Sequence, residues 1–324
     1  MRVLLTRLSS LGDVVHTWPL ANALVAAGHE VGWVVEREYV PLVASAPAVS
    51  RVIVAATRRW RQAPLSAATL TELRAAVADV RAFAADVVLD PQGLVKSAVW
   101  AGLSRCQRRI GFARAHRAEA LPGLFYSETV QPPSDIRHVV DLNLALLTAL
   151  GIDPPWGDQP DGRFLLAGDP PPPGPADRNR VALLPSTGSR AKTWPAERYA
   201  AFTRRCLSAG LRVLVVWGPG EERLAARLTD GAPPGLALAP PTTLPELAAI
   251  LARCAAVVGG DTGPLHLAAS LGVPTLGIYL ATDPARNGPR GGRTRAVRAD
   301  SDRNGPAVDE VFDALLDMLH AAPG

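Results

Sequence analysis

Cysteine and lysine are scarce in this chain, and aromatic residues make up only 5% of it. The three cysteines, Cys106, Cys206 and Cys254, are scattered and form neither a CxxC pair nor a cluster with histidine. So few cysteines in 324 residues exclude a small disulfide scaffold. They are expected to be buried apolar side chains in a protein of a reducing compartment.

Long apolar runs are also missing. No window approaches the roughly 18 apolar residues that are needed to span a bilayer. The apolar stretch at the N-terminus is interrupted within a few residues by Arg7 and Asp13, so no cleavable signal is predicted. We therefore expect a soluble, cytoplasmic protein that could still touch a membrane surface.

The apolar content and the length point to two folded domains. Hydrophobic residues make up 48% of the chain, which excludes disorder. At roughly 150 residues per domain, the length predicts two domains. A proline-rich run at 168–175 (GDPPPPGP) is too poor in backbone donors for a helix or a sheet. We therefore predict an N-terminal domain at 1–168, a linker at 169–175 and a C-terminal domain at 176–324.

Both predicted domains open with an apolar strand, a polar turn and a helical pattern. Residues 2–5 lead into the turn at 9–13, and residues 181–184 lead into the turn at 185–189. Further apolar runs occur at 31–35, 52–54, 87–89, 213–217, 257–258 and 275–279, and amphipathic stretches at 70–83, 197–207 and 244–254. This alternation predicts an α/β protein with two Rossmann-like parallel-sheet domains facing across a cleft. A last helix at 308–320 could pack on either domain.

Ligands of open parallel sheets bind beyond the carboxyl ends of the strands, so the polar segments after strands are the candidate site. Four segments qualify: 9–17 (SSLGDVVHT), 90–97 (DPQGLVKS), 186–195 (STGSRAKTWP) and 259–269 (GGDTGPLHLAA). Their glycines, hydroxyl groups and helix starts suit an anion such as phosphate. No GxGxxG fingerprint is present, which disfavours a nicotinamide enzyme, and the Walker A spacing is absent too.

Three side chains in these segments allow both a structural and a functional interpretation. Asp13 could simply cap a helix or could act as a general base. Lys96 and Lys192 are the only two lysines among 34 basic residues. The composition of the chain favours arginine over lysine. The two lysines either remain by chance or stand at sites that need a compact, flexible charge. Lys96 falls in a first helical turn, where a cation opposes the helix dipole, and this weakens the structural interpretation.

Arginines form two dense groups in the N-terminal half. They are Arg58, Arg59 and Arg61 in the first group, and Arg105, Arg108, Arg109, Arg114 and Arg117 in the second. Such runs are usually solvated faces, but their density favours an anionic partner, either nucleic acid or a phosphorylated lipid. No recognised nucleic-acid module or aromatic stacking signature accompanies them, so we expect the lipid and no nucleic acid.

Five segments that follow one another along nearly the whole chain resemble one enzyme family. Segments 9–17, 58–61 (RRWR), 90–97, 192–195 (KTWP) and 261–266 (DTGPLH) are similar to the ADP-heptose:lipopolysaccharide heptosyltransferases, in particular heptosyltransferase I. QGLVKS and DTGxxH are the most specific of them. The resemblance implies a GT-B fold, with ADP-L-glycero-D-manno-heptose as donor. The implied acceptor is the 3-deoxy-octulosonic acid (Kdo) of phosphorylated Kdo-lipid A, reached from the cytoplasmic face of the inner membrane.

The resemblance also implies a role for individual residues. Asp13 corresponds to the family's catalytic base, Lys192 to its phosphate-binding lysine and Glu222 to its ribose-binding glutamate. The implied donor-binding residues are Ser186, Thr187, Gly188, Lys192, Glu222, Asp261, Thr262, Gly263 and His266. The implied acceptor-binding residues are Ser9, Ser10, Gly12, Arg58, Arg59, Arg61, Gln92, Lys96, Arg117 and Glu119.

The reaction expected from this resemblance is inverting glycosyl transfer without an obligatory cofactor or metal. The cationic and dipolar loops would meet the diphosphate, and no carboxylate cluster suggests a metal site. Three alternatives remain open. They are a transferase of the same architecture acting on a protein, an antibiotic or another glycan, a nucleotide-sugar 2-epimerase, and a two-lobed sugar-binding protein.

Overall fold

Two six-stranded parallel sheets carry the fold of this protein, as seen in a computed structural model. The structure describes residues 1–167, 177–185, 189, 192–222, 229, 231–298 and 304–321. These residues divide into two compact units, Met1–Gln159 and Pro160–Gly324. No helix among them is both long and apolar enough to cross a membrane.

The first unit contains one sheet flanked by helices. Its strands are β1 (Arg2–Thr6), β2 (Glu30–Glu36), β3 (Arg51–Ala55), β4 (Val87–Asp90), β5 (Arg108–Phe112) and β6 (Glu128–Val130). Its α-helices are α1 (Leu11–Val15), α2 (Trp18–Ala26), α3 (Val40–Ala44), α4 (Thr57–Gln62), α5 (Ala67–Ala82), α6 (Val95–Leu103) and α7 (Val139–Leu144). Short 3-10 turns lie at Arg37–Tyr39, Arg114–His116, Leu121–Phe125 and Ala145–Leu150.

The strand order β3-β2-β1-β4-β5-β6 places β1 at the centre of this sheet. Leu4 of β1 lies opposite Gly32 of β2 on one side and Val88 of β4 on the other. The side chains of β1 and β4 are almost all buried because helices cover both faces of a parallel sheet. The order reverses direction between β1 and β4, so a crevice forms at their carboxyl ends.

The second unit repeats this plan. Its strands are β7 (Asp177–Leu184), β8 (Arg212–Val215), β9 (Leu236–Leu238), β10 (Cys254–Gly260), β11 (Thr275–Tyr279) and β12 (Thr294–Arg298). Its α-helices include α8 (Ala196–Ser208), α9 (Leu244–Leu251), α10 (Gly263–Ser270), α11 (Pro284–Asn287) and α12 (Val308–His320), and a 3-10 turn lies at Arg163–Leu166. The order β12-β11-β10-β7-β8-β9 puts the corresponding reversal between β7 and β10.

One glycine lets these two central strands approach each other. A Cβ atom on Gly259 of β10 would lie 2.5 Å from the Cβ of Leu184 at the end of β7. Any larger residue would push the ends of the two strands apart. The double glycine in the sequence therefore serves the close packing at the edge of the sheet from which the candidate site projects.

The boundary between the units lies earlier than the sequence predicted. The predicted N-terminal domain extends to residue 168, whereas the first unit ends at Gln159. The segment that follows belongs to the second unit because the Gly162 amide donates to the Ser270 carbonyl at 2.9 Å. The turn at Arg163–Leu166 also contacts α9. The predicted linker at 169–175 lies outside the described residues.

Helix α12 belongs to the second unit, which settles a choice that the sequence left open. Phe312 and Leu315 lie in the same buried cluster as Phe202 of α8 and Ile278 of β11. The predicted helix at 244–254 is shorter than expected because α9 ends at Leu251 and β10 begins three residues later.

Candidate active site

The polar segments singled out in the sequence fall, as far as their residues are described, at the two reversal points of the sheets. In the first unit, residues 9–17 follow β1 and residues 90–97 follow its neighbour β4. In the second unit, the segment 186–195 follows β7 and the segment 261–269 follows its neighbour β10. Each unit thus brings two of the predicted segments to the place where open α/β sheets bind ligands.

Asp13 lies in α1, and its two carboxylate oxygens have different partners. Oδ2 accepts hydrogen bonds from the Ser10 amide at 3.0 Å and from the Ser10 hydroxyl at 2.9 Å. Oδ1 lies 3.7 Å from the guanidinium of the buried Arg7. The side chain of Asp13 is 38% exposed. The capping interpretation is thus correct for one oxygen, while the other lies beside a cation on a side chain that is partly exposed.

Gln92 ties the loop after β4 to the loop after β1. Its side-chain carbonyl accepts from the Leu8 amide at 2.9 Å, and its side-chain amide donates to the Ser9 carbonyl at 3.0 Å. The Lys96 ammonium donates to the Ser9 hydroxyl. Gln92, predicted as an acceptor-binding residue, therefore has both ends of its amide bound within the protein. It shapes the loop that carries Asp13.

The buried carboxylate of Asp90 organises the same loop. Its oxygens accept hydrogen bonds from the Tyr126 hydroxyl and the Ser97 hydroxyl, both at 2.8 Å, and from the amides of Gln92 at 2.9 Å and Gly93 at 3.1 Å. Burial raises the pKa of Asp90 above its usual range, and these hydrogen bonds oppose the rise. The sequence analysis gave Asp90 no role, although an acid directly after a buried strand was a usable signal.

Lys96 is surrounded by charges of both signs. Partial burial lowers the pKa of its ammonium, the nearby carboxylates of Glu36 and Asp13 raise it, and Arg58 and Arg61 lower it further. Glu36 is itself buried at the end of β2 and accepts hydrogen bonds from Thr57 of α4. The predicted acceptor residues Lys96, Arg58 and Arg61 therefore share one electrostatic environment with Asp13.

The remaining predicted acceptor residues have varied surroundings. Arg58 lies 3.9 Å from Glu38, Arg59 pairs with Glu72, and Arg61 donates to a carbonyl of its own helix at 3.3 Å. Glu119 accepts from the first amide of α6 at 2.7 Å, which anchors the segment 114–120 there. Gly12 is buried within α1.

Arg117 has free hydrogen-bonding capacity. Its guanidinium lies 5.5 Å from the centre of the Tyr126 ring. Its Nε and one terminal nitrogen are buried without a hydrogen-bond partner among the described residues. Such a group is suited to receive an anion.

Two members of the second arginine group are structural. Arg108 forms a bidentate ion pair with Glu128, in which its Nε lies 2.8 Å from one carboxylate oxygen and a terminal nitrogen contacts the other. Arg109 donates from Nε to the Phe125 carbonyl at 2.6 Å and also to the Cys106 carbonyl. These side chains belong to β5, and two of the three nitrogens of each guanidinium are used within the fold. A role for them toward an anionic partner stays a prediction.

Lys192, Asp261 and His266 form a charged cluster in the second unit. The Lys192 ammonium lies 2.7 Å from Oδ2 of Asp261, and the Nε2 atom of His266 lies 3.3 Å from Oδ1. Lys192 is 33% exposed, whereas the side chains of Asp261 and His266 are buried. Asp261 directly follows β10, and His266 belongs to α10, so the fold of this loop brings the carboxylate between both partners.

The ionisation of Asp261 reflects these partners. Burial alone would raise the pKa of its carboxyl group, but the hydrogen bonds and charges of His266 and Lys192 outweigh burial and hold the pKa well below its usual range. Burial, together with the charge of Asp261, raises the pKa of the nearby Tyr279. The cluster therefore keeps a buried anion next to the lysine.

Asp261→Asn should lower the free energy of unfolding at pH 7 by about 1–3 kcal/mol because two donors lose their charged acceptor. A depressed carboxyl pKa stabilises the folded state above the ordinary value of about 4, and this stabilisation disappears as the pH falls through the lowered pKa. The difference between wild type and variant should therefore shrink between pH 5 and pH 2 in urea titrations. Asp317→Asn, which removes an exposed partner of Arg295, is the control. An unchanged difference at low pH would contradict this account.

The other predicted donor residues are only partly described. Ser186, Thr187 and Gly188 lie outside the described residues. Thr262 precedes α10 without a side-chain capping bond, and Gly263 is the first residue of that helix. Glu222 is exposed at a helical position after β8, where its carboxylate accepts from the Gly220 amide at 3.1 Å. This and a second backbone hydrogen bond lower the pKa of Glu222.

Metal-ligating residues do not cluster in the part of the chain that the structure describes: no group of three or more histidine, cysteine, aspartate or glutamate side chains could hold an ion there. The charged side chains at the two reversal points are instead arranged as ion pairs between a carboxylate and a cation. Asp13 lies beside Arg7, and Asp261 lies beside Lys192.

Comparison with known proteins decides the family. The profile of glycosyltransferase family 9 (heptosyltransferase) matches residues 73–312, which is well over half of the chain. The chain belongs to this family. The matched region of this family 9 chain includes Lys96, Lys192 and Asp261, whereas Asp13 and the arginines of α4 precede it.

The similarity extends beyond the matched region in individual relatives. Lipopolysaccharide heptosyltransferase 1 of Escherichia coli K12 is 34% identical over 97% of this family 9 chain and 100% of its own length. The structure of E. coli heptosyltransferase WaaC with ADP has a TM-score of 0.84 at 30% identity and covers 98% of this chain and 100% of its own. The same enzyme with ADP-2-deoxy-2-fluoro heptose gives a TM-score of 0.82 at 32% identity, with 98% and 99% covered.

These findings confirm two of the predictions made from the sequence. The α/β fold with two parallel, Rossmann-like sheets agrees with the GT-B class that the resemblance implied. The family 9 chain is a glycosyltransferase. Membership of this family excludes the two alternatives of another functional class, a nucleotide-sugar 2-epimerase and a sugar-binding protein.

Proposed function

We propose that this family 9 chain transfers L-glycero-D-manno-heptose from ADP-heptose to the Kdo of phosphorylated Kdo-lipid A during lipopolysaccharide biosynthesis. The observation that carries this proposal is the 34% identity to E. coli lipopolysaccharide heptosyltransferase 1 over 97% of the chain. The similarity therefore extends over both units of the chain. A second support is that the similar E. coli structures contain ADP and a fluorinated ADP-heptose.

The first unit supplies the groups that would activate the acceptor. The acceptor hydroxyl loses its proton to Oδ1 of Asp13, the oxygen that Ser10 does not hold. The acceptor oxygen forms a bond to the anomeric carbon from the side opposite ADP, and the bond from that carbon to the diphosphate breaks. Configuration at the anomeric carbon is inverted. Lys96 and Arg117 are the cations that we assign to the carboxylate and phosphates of the acceptor.

The second unit supplies the charge that would stabilise the departing ADP. Lys192 is the one residue of the cluster with an exposed fraction as large as 33%. Its ammonium can turn from Asp261 to the diphosphate without losing all contact with the carboxylate. Fixed charge at the place where negative charge develops lowers the barrier of such a reaction. The mechanism therefore uses no metal and no resident cofactor.

We also place the enzyme at the cytoplasmic face of the inner membrane, as a peripheral protein, because the proposed acceptor is a lipid. The partly exposed arginines of α4 would approach its phosphates. Such contacts weaken with salt when they are electrostatic.

The test is transfer by the purified enzyme from ADP-heptose to Kdo-lipid A in detergent, with and without EDTA. We expect ADP release to match the formation of a singly heptosylated lipid, a product of inverted configuration, and an unchanged rate in EDTA. Lipid A without Kdo, a protein extract and other glycans are the control acceptors. Transfer to one of these and not to Kdo-lipid A would replace the proposed acceptor, and loss of the reaction in EDTA would refute the metal-free mechanism.

A further inference from the structure

Arg7 is a buried cation beneath Asp13. Only 6% of its side chain is exposed, and the residue directly follows β1. One terminal nitrogen donates to the Asn143 side-chain carbonyl at 3.1 Å, and the other lies 3.7 Å from Oδ1 of Asp13. The Nε atom has no hydrogen-bond partner within the described ranges. A buried guanidinium needs a nearby anion, so Arg7 and Asp13 depend on each other.

Asn143 closes a ring around this pair. It lies in α7 and is 1% exposed. Its side-chain amide donates to the His16 carbonyl at 3.0 Å and contacts the Thr17 hydroxyl at 3.4 Å. The Thr17 hydroxyl in turn donates to the Asp13 carbonyl at 2.8 Å. Asn143 therefore holds Arg7 on one side and the end of α1 on the other, so that the guanidinium and the carboxylate keep a set separation.

The surroundings of Asp13 identify Arg7 as its closest charged neighbour. Lys96 of α6 is the other cation that interacts with Asp13, but its ammonium is bonded to the Ser9 hydroxyl. Asp90 of β4 also attracts Arg7, but its oxygens are occupied by Tyr126, Ser97 and two backbone amides. Oδ2 of Asp13 is held by Ser10. Arg7 is thus the charged group beside Oδ1, the oxygen that Ser10 does not hold.

We propose that Arg7 and Asn143 are positioning residues: the guanidinium, clamped by Asn143, orients Oδ1 of Asp13 for removal of the acceptor proton. The inference rests on the proposed function, because it concerns the base of that reaction. Neither residue touches the substrate in this account. A misplaced base loses rate even when binding is unchanged, since displacements of about 1 Å can cost on the order of 100-fold.

The test compares Arg7→Met, Arg7→Lys and Asn143→Ala in the heptose-transfer assay. We expect Arg7→Met and Asn143→Ala to lower kcat by about 10- to 100-fold. The KM for ADP-heptose and the affinity for ADP should stay within about twofold of wild type, because the donor residues lie in the other unit. Arg7→Lys should recover much of the rate. Arg51→Met removes an exposed arginine that pairs with Asp79 and serves as the matched control.

Rescue by the conservative variant separates positioning from a merely structural role. Arg7→Lys keeps a cation beneath Asp13, so its kcat should lie well above that of Arg7→Met. Asn143→Ala keeps Arg7 but loses the clamp, so its kcat should fall while the affinity for ADP stays unchanged. If Arg7→Met does not fold, Arg7→Lys and Asn143→Ala still carry the test through their kcat.

Two results would overturn the inference. They are a kcat within twofold of wild type in folded Arg7→Met and in Asn143→Ala, or a loss of kcat in these variants that is matched by an equal loss of ADP affinity. Failure of the proposed function is seen separately, because it appears as absent transfer by the wild-type enzyme.

Discussion

Asp13→Ala should lower kcat by about 10²- to 10⁴-fold, the usual contribution of a general base. Binding of ADP-heptose should change little, since the residues assigned to the donor lie in the second unit. Turnover is measured as ADP release with Kdo-lipid A as acceptor, and donor binding by calorimetry with ADP. The alanine also leaves the buried Arg7 without its nearest carboxylate, so the melting temperature should fall as well.

Asp13→Asn separates the chemical effect from this structural one. The asparagine side chain can still accept from Ser10, so the start of α1 should keep its form while the base is lost. Its kcat should be as low as that of the alanine variant. Asp79→Ala, which removes an exposed partner of Arg51, is the matched control and should behave as wild type. Turnover within tenfold of wild type in Asp13→Asn would exclude Asp13 as the base.

Lys192→Met should lower kcat by about 10²- to 10³-fold and also raise the KM for ADP-heptose. The reason is that one preorganised charge at a developing anion contributes about 3–4 kcal/mol to transition-state stabilisation. The effect on both constants follows because the ammonium would contact the diphosphate in the bound donor and more strongly in the leaving ADP. Initial rates at varied donor concentration measure both constants.

The loss of Lys192 also leaves Asp261 with His266 as its remaining charged partner in the cluster. Adding Asp261→Asn to Lys192→Met should therefore restore stability without restoring turnover. Lys192→Arg should be intermediate because a planar guanidinium does not replace a compact ammonium. Arg205→Met, which removes an exposed ion pair with Asp309 in the same unit, is the control. Wild-type kcat together with wild-type ADP affinity in Lys192→Met would remove this residue from the donor site.

The placement of the candidate site was predictable because its signals are local. A short apolar run followed by glycine and polar residues indicates the carboxyl end of a parallel strand. This pattern located Asp13, Lys96 and Asp261, and the structure puts each of them after a central strand of its sheet. The rarity of lysine drew attention to Lys192, and the structure pairs it with Asp261.

The residues that sequence reasoning missed act over long separations. Asn143 contacts Arg7 across a separation of 136 residues, and Tyr126 reaches Asp90 across 36 residues. The one local signal for Asn143 was a lone amide between two leucines in a buried segment. Gln92 was assigned to a substrate, but both ends of its amide are bound within the protein.

The amino-acid sequence by itself determined the class of fold, the family and the four loops in which the chemistry lies, because periodicity, turn residues and motifs depend on neighbours along the chain. Only the tertiary structure decided which loops are neighbours and which partners their side chains have. The order of strands in each sheet sets both, and the strand order depends on how distant segments pack. It placed Asn143 against Arg7, Asp261 against Lys192 and the partners of Arg108 and Arg109 within the fold.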